Sequence, residues 1–191
     1  MSFLEPVNSL FPTGFSYHPN FISREDENDL IDYINQLPLT PFEFKGFEAK
    51  RKTMSFGMDY HFNHHTLTKG QKIPAYFDQL IRKVSTITSV PGECWVELLV
   101  TEYPPGSVIN WHRDAMPFEI IAGISLHSDC QFKLRPYGED NSKRRSVLTI
   151  PCRARSLYVM KDASRWEWQH SIAPVKYKRY SITLRTLKNP S

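Results

Sequence analysis

The residues able to do chemistry gather in the second half of this chain. Within Asn110-Trp111-His112-Arg113-Asp114 an imidazole and a carboxylate stand two residues apart. On extended backbone, where side chains alternate faces, both point the same way and can share a metal ion. A third ligand must come from elsewhere, and His170, in Trp168-Gln169-His170-Ser171-Ile172, lies on a later predicted strand among apolar and aromatic neighbours. Two neutral imidazoles and one ionised carboxylate leave three coordination positions open, which suits a non-heme Fe(II) that must bind a co-substrate and O2 together. Without context, His-x-Asp is also the pattern of a surface pair or a satisfied core histidine. Nine residues beyond His170, Arg179-Tyr180-Ser181-Ile182-Thr183-Leu184-Arg185 alternates polar with apolar, so two guanidinium groups six apart share a face. An arginine buried beside a metal needs an anion, and its forked donors match a carboxylate. The plain alternative is a half-exposed strand with two solvated arginines.

Other candidates are less sharply defined. Tyr60 and Phe62, with Lys50, Arg51 and Lys52 upstream, offer base stacking and phosphate contact, or else form the apolar side of a hairpin. Lys133, Arg135, Lys143, Arg144 and Arg145 would stand near one rim of the same unit, gripping phosphates or merely solvated. His61, His64 and His65 read as loop histidines rather than a second metal site. Trp95, Trp111, Trp166 and Trp168 read as packing residues, with Trp111 and Trp168 close enough to the ligands to line a metal pocket. Three cysteines, Cys94, Cys130 and Cys152, give neither a disulfide framework nor a zinc pattern and are expected to be buried free thiols.

These residues need a scaffold, and 191 residues with 40% hydrophobic content suffice for one core. A single domain over 1–191 is expected, with 1–92 supplying helices and a substrate lid and 93–191 a β core. Apolar runs such as Ile120 to Ile124 fall far short of the ~20 residues that span a bilayer, and no secretory leader pattern is seen. A cytoplasmic or nuclear monomer with no membrane contact is expected. The net charge of +4 conceals an uneven spread: residues 133–188 hold fourteen basic side chains against four acidic ones. That surface calls for an anionic partner, nucleic acid before others, unless it is only a set of charged strand edges. Ser23 and Asp26 open a helical pattern through Leu30, Ile31 and Ile34, stopped by Pro38; Pro74 opens another through Phe77, Leu80, Ile81 and Val84. From Cys94 onward short β-rich runs, including Trp166 to Ile172, succeed one another. The fold expected is α+β and mainly β, an antiparallel sandwich with two N-terminal helices packed on one sheet.

Five blocks in order, Thr101 to Asp114 with its Tyr103-Pro104-Pro105-Gly106, then Ile124-Ser125-Leu126, Ser156 to Met160, His170, and Arg179 to Arg185, resemble the AlkB family of Fe(II)/2-oxoglutarate dioxygenases. Phe56 to Phe62 resembles that family's substrate lid. The resemblance implies a double-stranded β-helix (jelly-roll) core, with Fe(II) held by His112, Asp114 and His170. It also implies 2-oxoglutarate held by Arg179 and Tyr103, with Arg185 as the inner arginine and Thr101 and Ser181 at the two remaining co-substrate positions. O2 is the oxidant. The activity implied is oxidative demethylation of alkylated bases in DNA or RNA, releasing formaldehyde, CO2 and succinate.

Three positions depart from the repair enzymes of that family. Thr101 and Ser181 stand where those enzymes carry asparagines, and Met116 stands where they place a second aspartate that engages the methylated base. Ile124 to Ser128 and Ser156 to Met160 are also similar to the AlkB-type domain of a transfer-RNA wobble-uridine hydroxylase. Hydroxylation of a modified tRNA nucleoside, or of a protein, by the same cofactors is therefore the alternative. A silent β-sandwich that only binds nucleic acid is the reading from another class. Substrate contacts fall to Tyr60, Phe62, Arg51, Lys52, Met116, Lys133 and Arg135.

Overall fold

The computed structural model describes residues 11–44, 46–61, 64, 66–138 and 147–188. Its helices begin where the capping signals stand. Ser23 accepts from the Asp26 amide while Asp26 accepts from the Ser23 amide, and α1 follows over Arg24–Ile34. Pro74 precedes a single 3-10 turn, Ala75–Phe77, which runs into α2, Asp78–Thr88. Leu30 and Ile34 of α1 and Leu80 and Val84 of α2 are buried in one cluster. The same cluster holds Leu98, Val100, Ala122, Ile124, Leu157, Val159, Ile182 and Leu184, so both helices lie on one sheet face, as the sequence pattern predicts.

Two antiparallel sheets form the rest. In chain order the strands are β1 (Phe15–His18), β2 (Thr40–Phe44), β3 (Phe47–His61), β4 (Thr66–Lys69), β5 (Trp95–Tyr103), β6 (Ile109–His112), β7 (Phe118–Leu126), β8 (Cys130–Pro136), β9 (Leu148–Cys152), β10 (Ser156–Met160), β11 (Trp168–Ile172) and β12 (Arg179–Leu187). The large sheet runs β1-β10-β7-β12-β5-β3-β2 with β4 attached to β3, and the small sheet runs β6-β11-β8-β9. A second apolar cluster, including Tyr103, Ile121, Phe132, Leu134, Ile150, Tyr158 and Ile172, fills the space between them. The result is a double-stranded β-helix with an outer helical layer.

Strand β12 shows why both cores close on the large sheet. Tyr180, Ile182 and Leu184 face the helices, and Arg179, Ser181, Thr183 and Arg185 alternate to the other side, facing the small sheet. Register then builds polar rows across the interior. One row is Ser156, Ser125, Ser181, Thr101 and Thr53, and another is Met160, Ile121, Arg185, Glu97 and Gly57.

Local readings need three corrections. Trp166 closes a short helix, α3 (Asp162–Trp166), instead of opening a strand, because Ser164 caps the turn by bonding the Lys161 amide at 3.1 Å and α3 delivers Arg165 to the loop before β7. Cys94 is exposed in a 3-10 turn, while Cys130 and Cys152 are buried free thiols. Trp111 alternates away from His112, on the outer side of the small sheet with Arg135 stacked 4.4 Å over it, and so does not face the ligands. Among the described residues no helix is long and apolar enough to cross a membrane.

Gly57 is where β3 leaves β5, at Gly57 opposite Glu97, and takes up β4, from Met58 opposite Lys69. Its φ is +85°, and a Cβ there would stand 2.0 Å from the Val96 carbonyl oxygen. Strain and collision act together, so Gly57→Ala is expected to lower unfolding free energy by about 2 to 4 kcal/mol, read from urea denaturation.

Candidate active site

Pairing of β6 with β11 sets His112 directly across from His170. Their ring centroids lie 4.1 Å apart. Asp114, two residues past the end of the strand, brings its Oδ2 to 3.8 Å from His170 Nε2. One donor atom from each of the three lies within 4.8 Å of the others, a set that could hold a metal ion. The imidazoles are preset for this. His112 Nδ1 donates to the Asn110 carbonyl at 2.9 Å, which leaves the lone pair on Nε2. The Phe132 ring stacks on His170 with centroids 5.5 Å apart. Asp114 Oδ2 is buried and accepts no hydrogen bond. A desolvated carboxylate oxygen without a donor is costly, and a cation between it and two imidazole nitrogens removes that cost.

The rest of Asp114 is held firmly. Arg185 reaches from β12, donating through one terminal nitrogen to Asp114 Oδ1 at 2.9 Å and through the other to Glu97 Oε2 at 2.6 Å. Ser55 donates to the other Glu97 oxygen at 3.3 Å. Burial alone would raise the Asp114 carboxyl, but Arg185 and the two imidazoles outweigh it and hold the group well below the usual carboxylate range. Glu97 is pushed up by burial, against the attraction of Arg185. Burial and then His112 push His170 down to about 3 despite the attraction of Asp114, so the His170 imidazole is available as a neutral ligand. Arg165 fixes the segment after Asp114 by donating to the carbonyls of Asp114, Ala115 and Phe118 at 2.8–3.2 Å.

At the other end of the interior face Arg179 is 1% exposed. Its Nε donates to Ser125 Oγ at 3.0 Å and its guanidinium lies 4.7 Å from the Tyr103 ring centre. One terminal nitrogen, Nη1, is buried with no acceptor. The Tyr103 hydroxyl is 3.2 Å from Ser181 Oγ, and Thr101 is buried beside them in register with Ser181. An unsatisfied guanidinium nitrogen in a water-poor interior is a place for one carboxylate. Arg185 differs: two of its nitrogens are already committed to Glu97 and Asp114, leaving Nε as its buried unpartnered donor.

The residues expected to meet substrate are more scattered. Tyr60 packs edge-on to Phe118 at 6.4 Å, and Arg185 lies 5.4 Å over the Phe118 ring, so Tyr60 belongs to the metal end. Met116 is 61% exposed, two residues past Asp114. Arg51 and Lys52 stand by Tyr103 and Glu102, with Arg51 over the Phe42 ring at 4.0 Å. Six residues separate Arg51 from Gly57 in the Glu97 row, about 20 Å of strand, so this pair lies toward the Arg179 end. Arg135 and Lys133 are half-buried on the outer side of the small sheet, where Arg135 donates to Gln169 at 2.9 Å and Arg113 sits 3.7 Å over Tyr137. Phe62, His65, Lys143, Arg144 and Arg145 lie outside the described residues.

A family profile described as the 2OG-Fe(II) oxygenase superfamily matches residues 14–185. The chain belongs to that superfamily. Its relatives place it on the AlkB-like side. It is 26% identical to uncharacterised protein L905 of Acanthamoeba polyphaga mimivirus, over 91% of this chain and 85% of that one. It is 26% identical to mouse tRNA (carboxymethyluridine(34)-5-O)-methyltransferase ALKBH8, over 87% of this chain but only 25% of the relative. Human DNA oxidative demethylase ALKBH2 is 26% identical over 87% of this chain and 67% of its own length. Among solved structures, that of OsALKBH1 superposes with a TM-score of 0.74 at 14% identity, covering 92% of this chain and 98% of that one. The protein is thus an AlkB-like dioxygenase, and its cofactors are Fe(II), 2-oxoglutarate and O2. The orphaned Asp114 oxygen and the orphaned Arg179 nitrogen fit the first two.

Sequence reading missed Glu97, Arg165 and Ser125. Glu97 gave a signal, a lone carboxylate inside the apolar run Trp95-Val96-Glu97-Leu98-Leu99. Arg165 gave none. Removing the Glu97 carboxylate leaves Arg185 to draw charge from Asp114 alone. Glu97→Ala is therefore expected to weaken Mn(II) binding about ten- to a hundred-fold by calorimetry, and Glu97→Gln by less.

The depressed His170 value also makes the metal-free fold acid-sensitive. Between about pH 6.5 and 3 the unfolded chain protonates His170 and the folded chain does not, so stability is present above 6.5 and lost as pH falls. In EDTA, urea unfolding of the wild type is expected to lose up to about 1.4 kcal/mol per pH unit more than His170→Gln below pH 6.5.

Proposed function

We propose that the protein carries out oxidative demethylation of an alkylated nucleobase in DNA or RNA, releasing formaldehyde, CO2 and succinate. In this reading His112, Asp114 and His170 hold Fe(II). Arg179 and Tyr103 take the distal carboxylate of 2-oxoglutarate, Thr101 and Ser181 line its path, and Arg185 steadies its metal end through Asp114. The observation that carries the reading is a pair of buried, unsatisfied groups of opposite sign between the sheets: an Asp114 oxygen beside two imidazoles and an Arg179 nitrogen farther in. A cation at one and a carboxylate at the other satisfy both.

When bound, iron and 2-oxoglutarate supply oxidation of a C–H bond coupled to loss of CO2. The chain's own residues supply placement. Arg185 and Glu97 keep Asp114 ionised and oriented, the Asn110 carbonyl selects the His112 tautomer, and Arg165 anchors the loop that carries the carboxylate. Burial excludes water from the reacting carbon. A base reaching this depth must leave its stack at a cost of a few kcal/mol, which Tyr60, Phe62 and the exposed Met116 offset by packing on it. Arg51, Lys52, Lys133 and Arg135 draw the phosphate backbone, an attraction that falls with salt. Hydroxylated N-methyl carbon then leaves as formaldehyde and restores the base.

A second reading, hydroxylation of a modified tRNA nucleoside without loss of carbon, is favoured by the ALKBH8 match together with Met116 beside the triad. Incubation of the Fe(II)-loaded protein with 2-oxoglutarate and methylated DNA and RNA oligonucleotides is expected to release formaldehyde, with His112→Ala reducing it at least a thousand-fold. A mass gain of one oxygen on tRNA without formaldehyde selects the second reading, and neither product defeats both.

A further inference from the structure

Strand β10 carries a large polar side chain that no role above uses. Leu157 and Val159 join the helix-side core, which turns Ser156, Tyr158 and Met160 toward the small sheet. Tyr158 stands opposite Gly123 on β7, and Gly123 stands opposite Thr183 on β12. A Cβ on Gly123 would lie 2.2 Å from Tyr158 Cζ and 2.4 Å from its hydroxyl oxygen. The phenol therefore lies flat across the Gly123 backbone, with its hydroxyl over the middle of the sheet. Glycine is required here by volume, since any side chain would displace the ring.

The surroundings of that hydroxyl are those of the co-substrate path. The Tyr158 ring is 4.5 Å from Phe132, which stacks on the metal-end His170. Ser125, two residues from Gly123 on the same strand face, holds Arg179 Nε. Two residues of strand span about 6.6 Å, so the backbone under the phenol and the serine that holds Arg179 are near enough for one carboxylate to reach both side chains. Small side chains, Ser156, Ser125, Ser181 and Thr101, make up the row at the Arg179 end of that span. Tyr158 is 8% exposed, and its hydroxyl is not one of the wholly buried polar atoms left without a partner, so that oxygen borders the space between the sheets. A phenol hydroxyl on the same sheet face as the unsatisfied Arg179 nitrogen is a second donor for an anion held there.

We infer that Tyr158 is a further co-substrate-binding residue, its hydroxyl donating to the distal carboxylate of 2-oxoglutarate opposite Arg179, and that Gly123 exists to let the phenol lie there. The inference rests on the co-substrate site proposed above.

The test measures binding to the full-length, Mn(II)-loaded chain by calorimetry, with 2-oxoglutarate and with pyruvate, a 2-oxo acid that lacks the distal carboxylate. Tyr158→Phe is expected to weaken 2-oxoglutarate about ten-fold or more, the loss of a hydrogen bond to a charged partner, and to change pyruvate less than about two-fold. Unchanged 2-oxoglutarate affinity, or equal weakening of both acids, overturns the inference while leaving the site itself intact. Failure of the wild type to bind 2-oxoglutarate overturns the site. Gly123→Ala is expected to lower the melting temperature, and Gly123→Ala with Tyr158→Val to restore it without restoring affinity. A Gly123→Ala protein that melts like wild type defeats the packing argument.

Discussion

One guanidinium governs the centre of this molecule. Arg185 lies between two buried carboxylates, Glu97 and Asp114, with a nitrogen on each. Either carboxylate alone at that depth would shed its charge, and the arginine alone would be an unpaired cation inside a protein. Together they satisfy one another through the two hydrogen bonds, and what remains unpaired is the Asp114 oxygen that accepts no hydrogen bond. Two imidazoles beside that oxygen complete a donor set that a divalent cation fits. Metal affinity and acid sensitivity follow from this arrangement.

The fold makes it affordable by lining both faces of one sheet. The helices cover the apolar side of β5, β7, β10 and β12, and that core bears most of the burial. Alternate residues of the same strands are thereby free to be polar. Serines, threonines, arginines and a glutamate line the interior in rows fixed by antiparallel register, with apolar side chains of the small sheet closing over them. A strand whose two faces serve different ends explains why β12 reads as strict alternation although nearly every residue in it is buried.

The likenesses to known proteins lie in the architecture. The solved structure of OsALKBH1, at 14% identity, shares the architecture, and the superfamily profile spans nearly the whole described chain. Relatives named for a DNA demethylase and for a tRNA enzyme share the oxygenase core while differing in what they act on.

Period-two spacing determined, from sequence alone, that His112 and Asp114 share a face, that Arg179 and Arg185 share another, and that the chain from residue 94 onward is a β-sandwich behind two helices. Those are short-range facts, set by backbone geometry within a few residues. The chain order could not say which strand lies against which. Only tertiary register set His170 across from His112, brought Glu97 to Arg185, laid Tyr158 over Gly123 and sent Arg165 to three carbonyls far from it in sequence. It also turned Trp111 outward, left Cys94 exposed and made Trp166 the end of a helix. Each of these depends on a partner contributed by a distant segment, and pairing across such distances is decided by the packing of whole faces rather than by any residue's own preference.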